Sequence, residues 1–433
     1  MRRLGRCGRA RKKKFQNQGS NSKSDVAQAN LPQFVQLQMW LKPQYKRGKS
    51  LNALLKPCDF KGTGRGLQAT RKIQPGDTIV SIPMKHLITV HTALASVVGS
   101  YITRSQQKFT PQQILTTFLV IESCMEESPW KPYFKSLPDV YSTPLYFSSA
   151  DIRLLKPLIR KQAEGLRERF SRAAQSITNF IELNTPWFSH YFTKERICWA
   201  WSTVDTRSVY LYTYPHPSFV LDPEESNVAL APFLDLLNHT DTAKMTADVN
   251  TKSQSYEIIT EDSFKKYDQV FICYGAYDNA KLLINYGFVL TQNINNTYVF
   301  TMDNLVSCVP ASSGHIERKV DILQEANLQR NLVCSMDGLS WSLSTALKIV
   351  LLPWKLLSKW KLLLQGASLG EDNERESQRV AVVLIKAALH DATEHLDDVK
   401  RHPQGTHHKL LLRLAQDDVD ILNSTLTTLK EFS

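Results

Sequence analysis

Two stretches with strand texture, residues 54–83 and 218–275, lie either side of roughly 100 residues whose apolar positions recur at helical spacing. A strand cannot satisfy its own backbone, so these distant stretches must find each other across the block between them. The arrangement that meets this demand is one β-rich domain with a helical insertion.

The local signals fill in that outline. Residues 33–42 (QFVQLQMWLK) read as a short amphipathic helix. Residues 54–83 read as short strands parted by glycines and the Pro75-Gly76-Asp77 turn. Thr110-Pro111 is a helix start, since Thr can cap and Pro fits the first turn; Ile114, Leu115, Phe118, Leu119 and Met125 follow at helical spacing. Residues 148–182 carry one long helical pattern, and Thr193 opens another with Ile197, Trp201 and Val204 on one side. SYEIIT (255–260) and VFICY (270–274) read as strands, the second fully buried. Beyond about residue 310 the chain reads as purely helical, with leucine-rich stretches at 338–365, 378–400 and 408–432 and a polar loop at 369–378. Those leucine stripes are core packing.

Net charge is +12, and eight of those charges fall on Arg2, Arg3, Arg6, Arg9, Arg11, Lys12, Lys13 and Lys14 with no acid among them. The charge is a local arm, read either as a nuclear-import or anchoring signal or as a solvated tail, and not as a groove for nucleic acid. The segment to Asn30 is too polar to bury a core and is expected to be disordered. Seven scattered cysteines without a C-x-x-C argue against a disulfide framework and a cysteine zinc site, and fit a reducing compartment. No signal peptide and no membrane-length apolar run is expected.

Gly62-Thr63-Gly64-Arg65-Gly66 invites a dinucleotide reading, but the spacing is G-x-G-x-G and a strand follows where a Rossmann loop would open a helix. Alone it is a tight hairpin. Two later motifs are more telling. LAPFLDLLNH ends an apolar run in Asp235 and the pair Asn238-His239, which alone reads first as a satisfied structural network. VFICYGAYDNAKLLINYGF ends a buried strand at Tyr274-Gly275 and leads through a short helix to Tyr286-Gly287-Phe288.

The ordered set GRGL, NH, YG and YGF resembles the SET domain, in the class of Rubisco large-subunit lysine methyltransferase-like proteins. The resemblance runs from about residue 50 to 290 and takes in TGRGLQATRKIQPGD, WKPYFKSLP at 130–138 and the helix ending in Thr206-Arg207. It implies an α+β fold: a β-rich SET domain over 48–290 with a pseudoknot and a helical insertion at about 100–205, then an all-α substrate-binding domain over 310–433, behind a disordered basic arm of residues 1–30. It implies S-adenosyl-L-methionine as cofactor, held by Thr63, Gly64, Arg65, Arg207, Asn238, His239, Tyr274, Tyr286, Gly287 and Phe288. It places Arg207, Asp235 and Tyr286 at the substrate and makes Tyr274 the catalytic residue, with no metal.

The implied reaction is transfer of a methyl group to a lysine of another protein, on histone tails or non-histone proteins, in nucleus and cytoplasm. Some relatives methylate histidine and use a polar side chain two positions after the matching arginine; here that position is the apolar Val209, which favours lysine. A silent SET fold serving as a peptide-binding scaffold is the other alternative, against which Asn238, His239 and Tyr274 stand intact.

Overall fold

The computed structural model describes residues 26–28, 32–41, 54–221, 227–403 and 405–431. The expected arm, residues 1–30, lies outside them except for Val26–Gln28. That short piece is a strand, β1, and corrects the expectation of disorder there: it pairs antiparallel with β2 (Leu55–Phe60). The amphipathic helix α1 (Pro32–Leu41) buries Phe34, Leu37 and Leu41.

β2 and β3 (Gly64–Ala69) form a hairpin, closed where Gly62 and Gly64 take positive φ, which glycine adopts without penalty. β4 (Thr78–Pro83) follows the turn at Gly76. The chain then enters its helices: α2 (Val90–Leu94), α3 (Gly99–Arg104), α4 (Pro111–Cys124), α5 (Lys131–Phe134), α6 (Ser149–Arg153), α7 (Pro157–Asn184) and α8 (Lys194–Arg207). Thr110 caps α4 in a reciprocal capping box with Gln113, and Thr193 caps α8. The long pattern at 148–182 divides into α6 and α7, because Pro157 lacks the N–H that a continuous helix would need and instead starts the second one.

The second strand-rich stretch supplies β5 (Ser208–Tyr210), β6 (Val228–Leu230), β7 (Asn238–His239), β8 (Met245–Asn250), β9 (Ser255–Thr260) and β10 (Gln269–Ile272). The main sheet runs β1-β2-β3-β10-β7; β4-β9-β8 and β5-β6 form two smaller sheets. β10 is antiparallel to β3 and parallel to β7, so strands from both sides of the insertion lie side by side. One large core joins them, including Leu67, Ile79, Leu115, Phe118, Leu234 and Val270.

The helix α9 (Asn279–Tyr286) leads to the C-terminal part, which departs from the all-α expectation. A small sheet of β11 (Tyr298–Val299), β12 (Val333–Ser335) and β13 (Gly338–Leu339) sits among its helices, so this part begins before residue 310. Strands of two or three residues are too short to show a period. The helices are α10 (Met302–Ser307), α11 (Ile316–Glu325), α12 (Trp341–Val350), α13 (Trp354–Leu357), α14 (Trp360–Leu364), α15 (Glu371–Arg401) and α16 (His408–Glu431). The stretch expected to be a loop, 369–378, is mostly the first two turns of α15, where Glu371, Asp372 and Glu374 favour the helix N-terminus.

A further apolar cluster ties this part to the rest. Ala163 and Leu166 of α7, Leu283 and Ile284 of α9, Leu396 and Val399 of α15, and Leu411 and Ala415 of α16 bury one another. Lys156 pairs with Asp418 at 2.7 Å beside it. Leu283 is fully buried at this four-helix junction. Leu283→Ala should cost about 2–5 kcal/mol in a denaturant titration, the range for a leucine cavity that cannot collapse; a loss under about 1 kcal/mol would show a junction that repacks freely.

Candidate active site

The sheet order explains how the motifs meet. β10 offers one edge to β3, with Gln269 opposite Gln68 and Val270 opposite Leu67, and the other to β7, with Phe271 opposite Asn238 and Ile272 opposite His239. The glycine turn, the Asn-His pair and the Tyr-Gly end of β10 therefore converge. Thr63 Oγ1 donates to Gln269 Oε1 at 3.0 Å, and Asn238 Nδ2 donates to the Arg65 carbonyl at 2.8 Å. Gly64 has open space where a side chain would stand. Gly66, part of the glycine run but not among the residues expected to hold the cofactor, is the crowded glycine: a Cβ there would lie 2.6 Å from Gln269 Nε2 and 2.9 Å from Asn238 Nδ2.

His239 is buried, and its Nδ1 accepts from the Tyr274 backbone N–H at 3.0 Å. The other ring nitrogen must then carry the proton, and this Nε2 has no protein partner. Burial holds His239 below its ordinary pKa, so the ring is neutral at pH 7. It stacks on Tyr274 at 5.0 Å, with Phe288 6.0 Å away. Tyr274 donates its hydroxyl to the Leu237 carbonyl at 2.6 Å. Burial pushes that hydroxyl far above its ordinary pKa, so it stays protonated.

Tyr286 completes the aromatic group, 5.0 Å from the Tyr274 ring, with its own hydroxyl pushed up to about 12 by burial. Gly287 ends α9 in the left-handed conformation; a Cβ there would sit 2.6 Å from the Ser142 backbone. Ser142 Oγ donates to the Gly287 carbonyl at 2.7 Å, which seats the Tyr286-Gly287-Phe288 segment.

Arg207 and Asp235 form a buried pair. Arg207 Nη1 donates to Asp235 Oδ2 at 3.0 Å and to the Asp235 carbonyl at 3.1 Å. Burial pulls the guanidinium pKa down, but Asp235, with Tyr141 and Tyr133, more than offsets it and holds Arg207 above its ordinary value. The Tyr133 hydroxyl donates to the same Oδ2 at 3.0 Å. The Asp235 side chain is 1% exposed. Its Oδ2 is thus held by Arg207 and Tyr133, while Oδ1 is buried with no hydrogen-bond partner. Just before it, Phe233 holds φ 76° while buried, a conformation a bulky side chain adopts only at a cost.

A cleft of about 320 Å³ opens beside Tyr274, walled by Val209, Leu237, Met245, Tyr256, Tyr277 and Tyr286 among others. Thr63 and Gly64 do not line it; Arg207, Asp235, Tyr274 and Tyr286 do. Next to it Asp205, which receives a hydrogen bond from the Gln112 side chain, lines a smaller cavity of about 240 Å³ together with Arg169 and Tyr286. Burial pushes its carboxyl up to about 7. Tyr133, Asp205, Phe233 and Tyr277 were not among the expected site residues; Tyr133 and Phe233 lie inside the stretches WKPYFKSLP and LAPFLDLLNH, and Tyr277 adjoins the Tyr274-Gly275 turn, which are the signals that could have marked those three. Among the described residues, no three His, Cys, Asp or Glu side chains gather as a metal-ligand set.

Comparison with known proteins gives consistent findings. The family model described as SET domain matches residues 64–275. SET domain-containing protein 4 of Mus musculus is 35% identical over 412 residues, 94% of this chain and 91% of its own. Actin-histidine N-methyltransferase of Mus musculus is 30% identical over 241 residues, 54% of this chain and 39% of its own. Among solved structures, the SET domain of LSMT bound to lysine and AdoHcy is similar in fold, with a TM-score of 0.60 at 19% identity over 92% of this chain and 91% of that one.

Two outcomes follow from this geometry. Arg207→Met should destabilise the protein by about 3–5 kcal/mol in denaturant titration, because it strands the Asp235 charge; a loss below about 1 kcal/mol would mean that Asp235 protonates without cost. His239 takes up a proton less readily in the folded state than in the unfolded chain, whose histidine titrates near about 6.5. Its contribution is complete above that value and is lost as pH falls through it toward the folded value. Between pH 7.5 and 5.5 the parent should therefore lose more stability than His239→Gln. Equal losses would place the acid sensitivity on other histidines, such as His86.

Proposed function

The chain belongs to the SET-domain family of S-adenosylmethionine-dependent methyltransferases, and on that premise we propose that it methylates a lysine side chain of another protein. The observation that carries the proposal is the convergence of the Gly64-Arg65 turn, Asn238-His239 and the Tyr274–Tyr286–Phe288 ring group at one strand pair, with the Tyr274 hydroxyl beside an apolar-walled cleft.

The residues present fit the methyl donor. His239 Nε2 is a buried donor with no protein partner, and Gly64 leaves room for close backbone approach. Thr63, Gly64, Arg65, Asn238, His239 and Phe288 would hold the cofactor. When bound, S-adenosylmethionine supplies a methyl group on a sulfonium sulfur, an electrophile that needs alignment more than activation.

The chain's own residues do the rest. The acceptor must be a neutral amine, against an ordinary lysine pKa of about 10.4. Met245, Ile258, Leu237 and Val209 wall the cleft and disfavour the ammonium form by excluding water. The Tyr274 hydroxyl spends its proton on the Leu237 carbonyl, so its lone pairs remain to accept from an amine N–H and orient the nitrogen. Because its pKa lies far above neutrality, it acts as a positioning hydrogen-bond group and not as a base. Arg207 and Asp235 hold the walls around it.

Lysine is favoured because Val209 brings no hydrogen-bonding atom to the cleft, whereas an imidazole acceptor needs a partner that sets its tautomer. The likeness to Actin-histidine N-methyltransferase favours histidine as the second reading. Histone tails and non-histone proteins both stay within the proposal, and the basic residues 2–14 would suit a nuclear as well as a cytoplasmic site of action.

The test is incubation with labelled S-adenosylmethionine and two acceptor pools, core histones and a methylation-depleted cell extract. Label should appear on lysine. Tyr274→Phe should lower transfer about a hundredfold while cofactor affinity by calorimetry stays within about threefold. Asn238→Ala should weaken cofactor binding itself, because the Arg65 carbonyl loses its anchor. Label on histidine would move the acceptor. No transfer to either pool together with no cofactor binding would overturn the proposal.

A further inference from the structure

A buried polar cluster sits where α9 meets α16, outside the site described above. Asp417 of α16 uses both carboxylate oxygens. Oδ1 accepts from Arg413, whose Nε is 2.6 Å away. Oδ2 accepts from Asn279 Nδ2 at 2.6 Å and from Asn296 Nδ2 at 3.0 Å. Asn279 is the first residue of α9, and its side chain also bonds both backbone groups of Leu290. Asn296 Oδ1 accepts from the Asn279 backbone N–H at 2.8 Å. Asn293 bridges Asn279 Oδ1 to the carbonyl of Tyr277, at 3.1 and 2.9 Å. All four side chains, Asn279, Asn293, Asn296 and Asp417, are buried.

Tyr277 is where this cluster touches chemistry. It lines the cleft, lies three residues after Tyr274, and its ring stacks beside Tyr286 at 6.3 Å. Tyr286 in turn stands 5.0 Å from the Tyr274 ring. A continuous run of short hydrogen bonds therefore leads from a helix of the C-terminal part to the aromatic wall of the cleft. Apolar contacts at the same junction already join the two parts, so adhesion alone does not require a fully satisfied polar network. Hydrogen bonds of fixed direction add position, to which alignment-limited chemistry is sensitive.

We propose that Asp417, acting through Asn279, Asn293 and Asn296, is a positioning residue for methyl transfer: it fixes the Tyr277 turn and the start of α9 so that the cleft wall stands in register with Tyr274. The proposal rests on the methyl-transfer reading above. It makes α16 part of the active-site scaffold, so the C-terminal part contributes to turnover as well as to any grip on substrate.

The chemistry of the carboxylate supplies a specific test. Arg413 Nη2 also reaches Asp420 Oδ2 at 3.2 Å, which keeps the guanidinium beside position 417; in Asp417→Asn a single amide oxygen must serve either Arg413 or the two asparagines, and the charged donor wins it. The amide NH₂ then faces the NH₂ groups of Asn279 and Asn296. In Asp417→Asn with Arg413→Gln, the glutamine oxygen can accept from the new amide, which frees the amide oxygen for the asparagines. With labelled S-adenosylmethionine and the acceptor pool that the parent labels, Asp417→Asn should transfer about tenfold more slowly, with cofactor affinity by calorimetry within about twofold. The double variant should recover to within about threefold of the parent, although it lacks both ion pairs of Arg413, to Asp417 and to Asp420.

A role confined to stabilising the junction through the ion pair would leave the double variant as impaired as the single one, and that result overturns the proposal. So does an unchanged rate in Asp417→Asn, or a loss matched by lost cofactor binding. If the parent labels neither pool, the methyl-transfer reading fails first, and hydrogen exchange on the same three proteins decides the positioning. Faster exchange confined to residues 276–286 in Asp417→Asn, restored in the double variant and absent from residues 64–69, sustains the coupling. Unchanged exchange at 276–286 refutes it.

Discussion

The pairing of β10 with β3 on one edge and β7 on the other is the constraint on which the rest depends. β3 and β10 are about 200 residues apart, and closing a loop of that length costs entropy before any contact rewards it. The insertion between them recovers that cost by folding into helices that share the core of the sheet. The parallel register of β7 on β10 has a further effect. It sets His239 beside Ile272, so that the histidine ring reaches the N–H of Tyr274 two residues on. A strand of only two residues thus joins the Asn238-His239 pair to Tyr274, which lines the cleft.

The Arg207–Asp235 pair shows how the insertion and the site are fitted together. It links the last residue of α8 to the turn that precedes Asn238, with Tyr133 of α5 donating to the same carboxylate. A buried ion pair is a poor source of stability, since desolvation offsets most of its attraction. What it supplies here is direction: three elements from separate stretches of chain are held to one oxygen. Phe233, in a left-handed conformation directly upstream, is strained in the same turn, and the surrounding contacts sustain that strain. The Asp417 cluster likewise holds separate stretches of chain to one carboxylate, where α9 meets α16.

Much of the local structure was legible. The caps at Thr110 and Thr193, the glycine turn of the β2–β3 hairpin and the strand at 255–260 all follow from rules that act within a few residues; the strand expected at 270–274 ends at Ile272 and is buried only at alternate positions. The breaks were less so. Pro157 divides one apparent helical run and Pro353 precedes a second helix in another, although periodicity continues across both. The small sheet at β11–β13 was missed because its strands carry no period. The polar opening of α15 was missed because clustered acids mark a helix N-terminus as well as a loop.

The candidate site divides in the same way. The sequence by itself determined the residue types, their order and the resemblance that links them: a glycine turn, Asn238-His239, Tyr274-Gly275 and Tyr286-Gly287-Phe288. It did so because these motifs are short, and their chemistry belongs to the side chains. Only the tertiary structure decided which of them share a wall. It paired Asp235 with Arg207 in the cleft wall, made Gly66 the crowded glycine, brought Tyr277 to the cleft and linked Asp417 to the Tyr277 turn from more than a hundred residues away. Those outcomes rest on contacts between distant segments, and such contacts exist only once the strands have paired and the helices have packed around them.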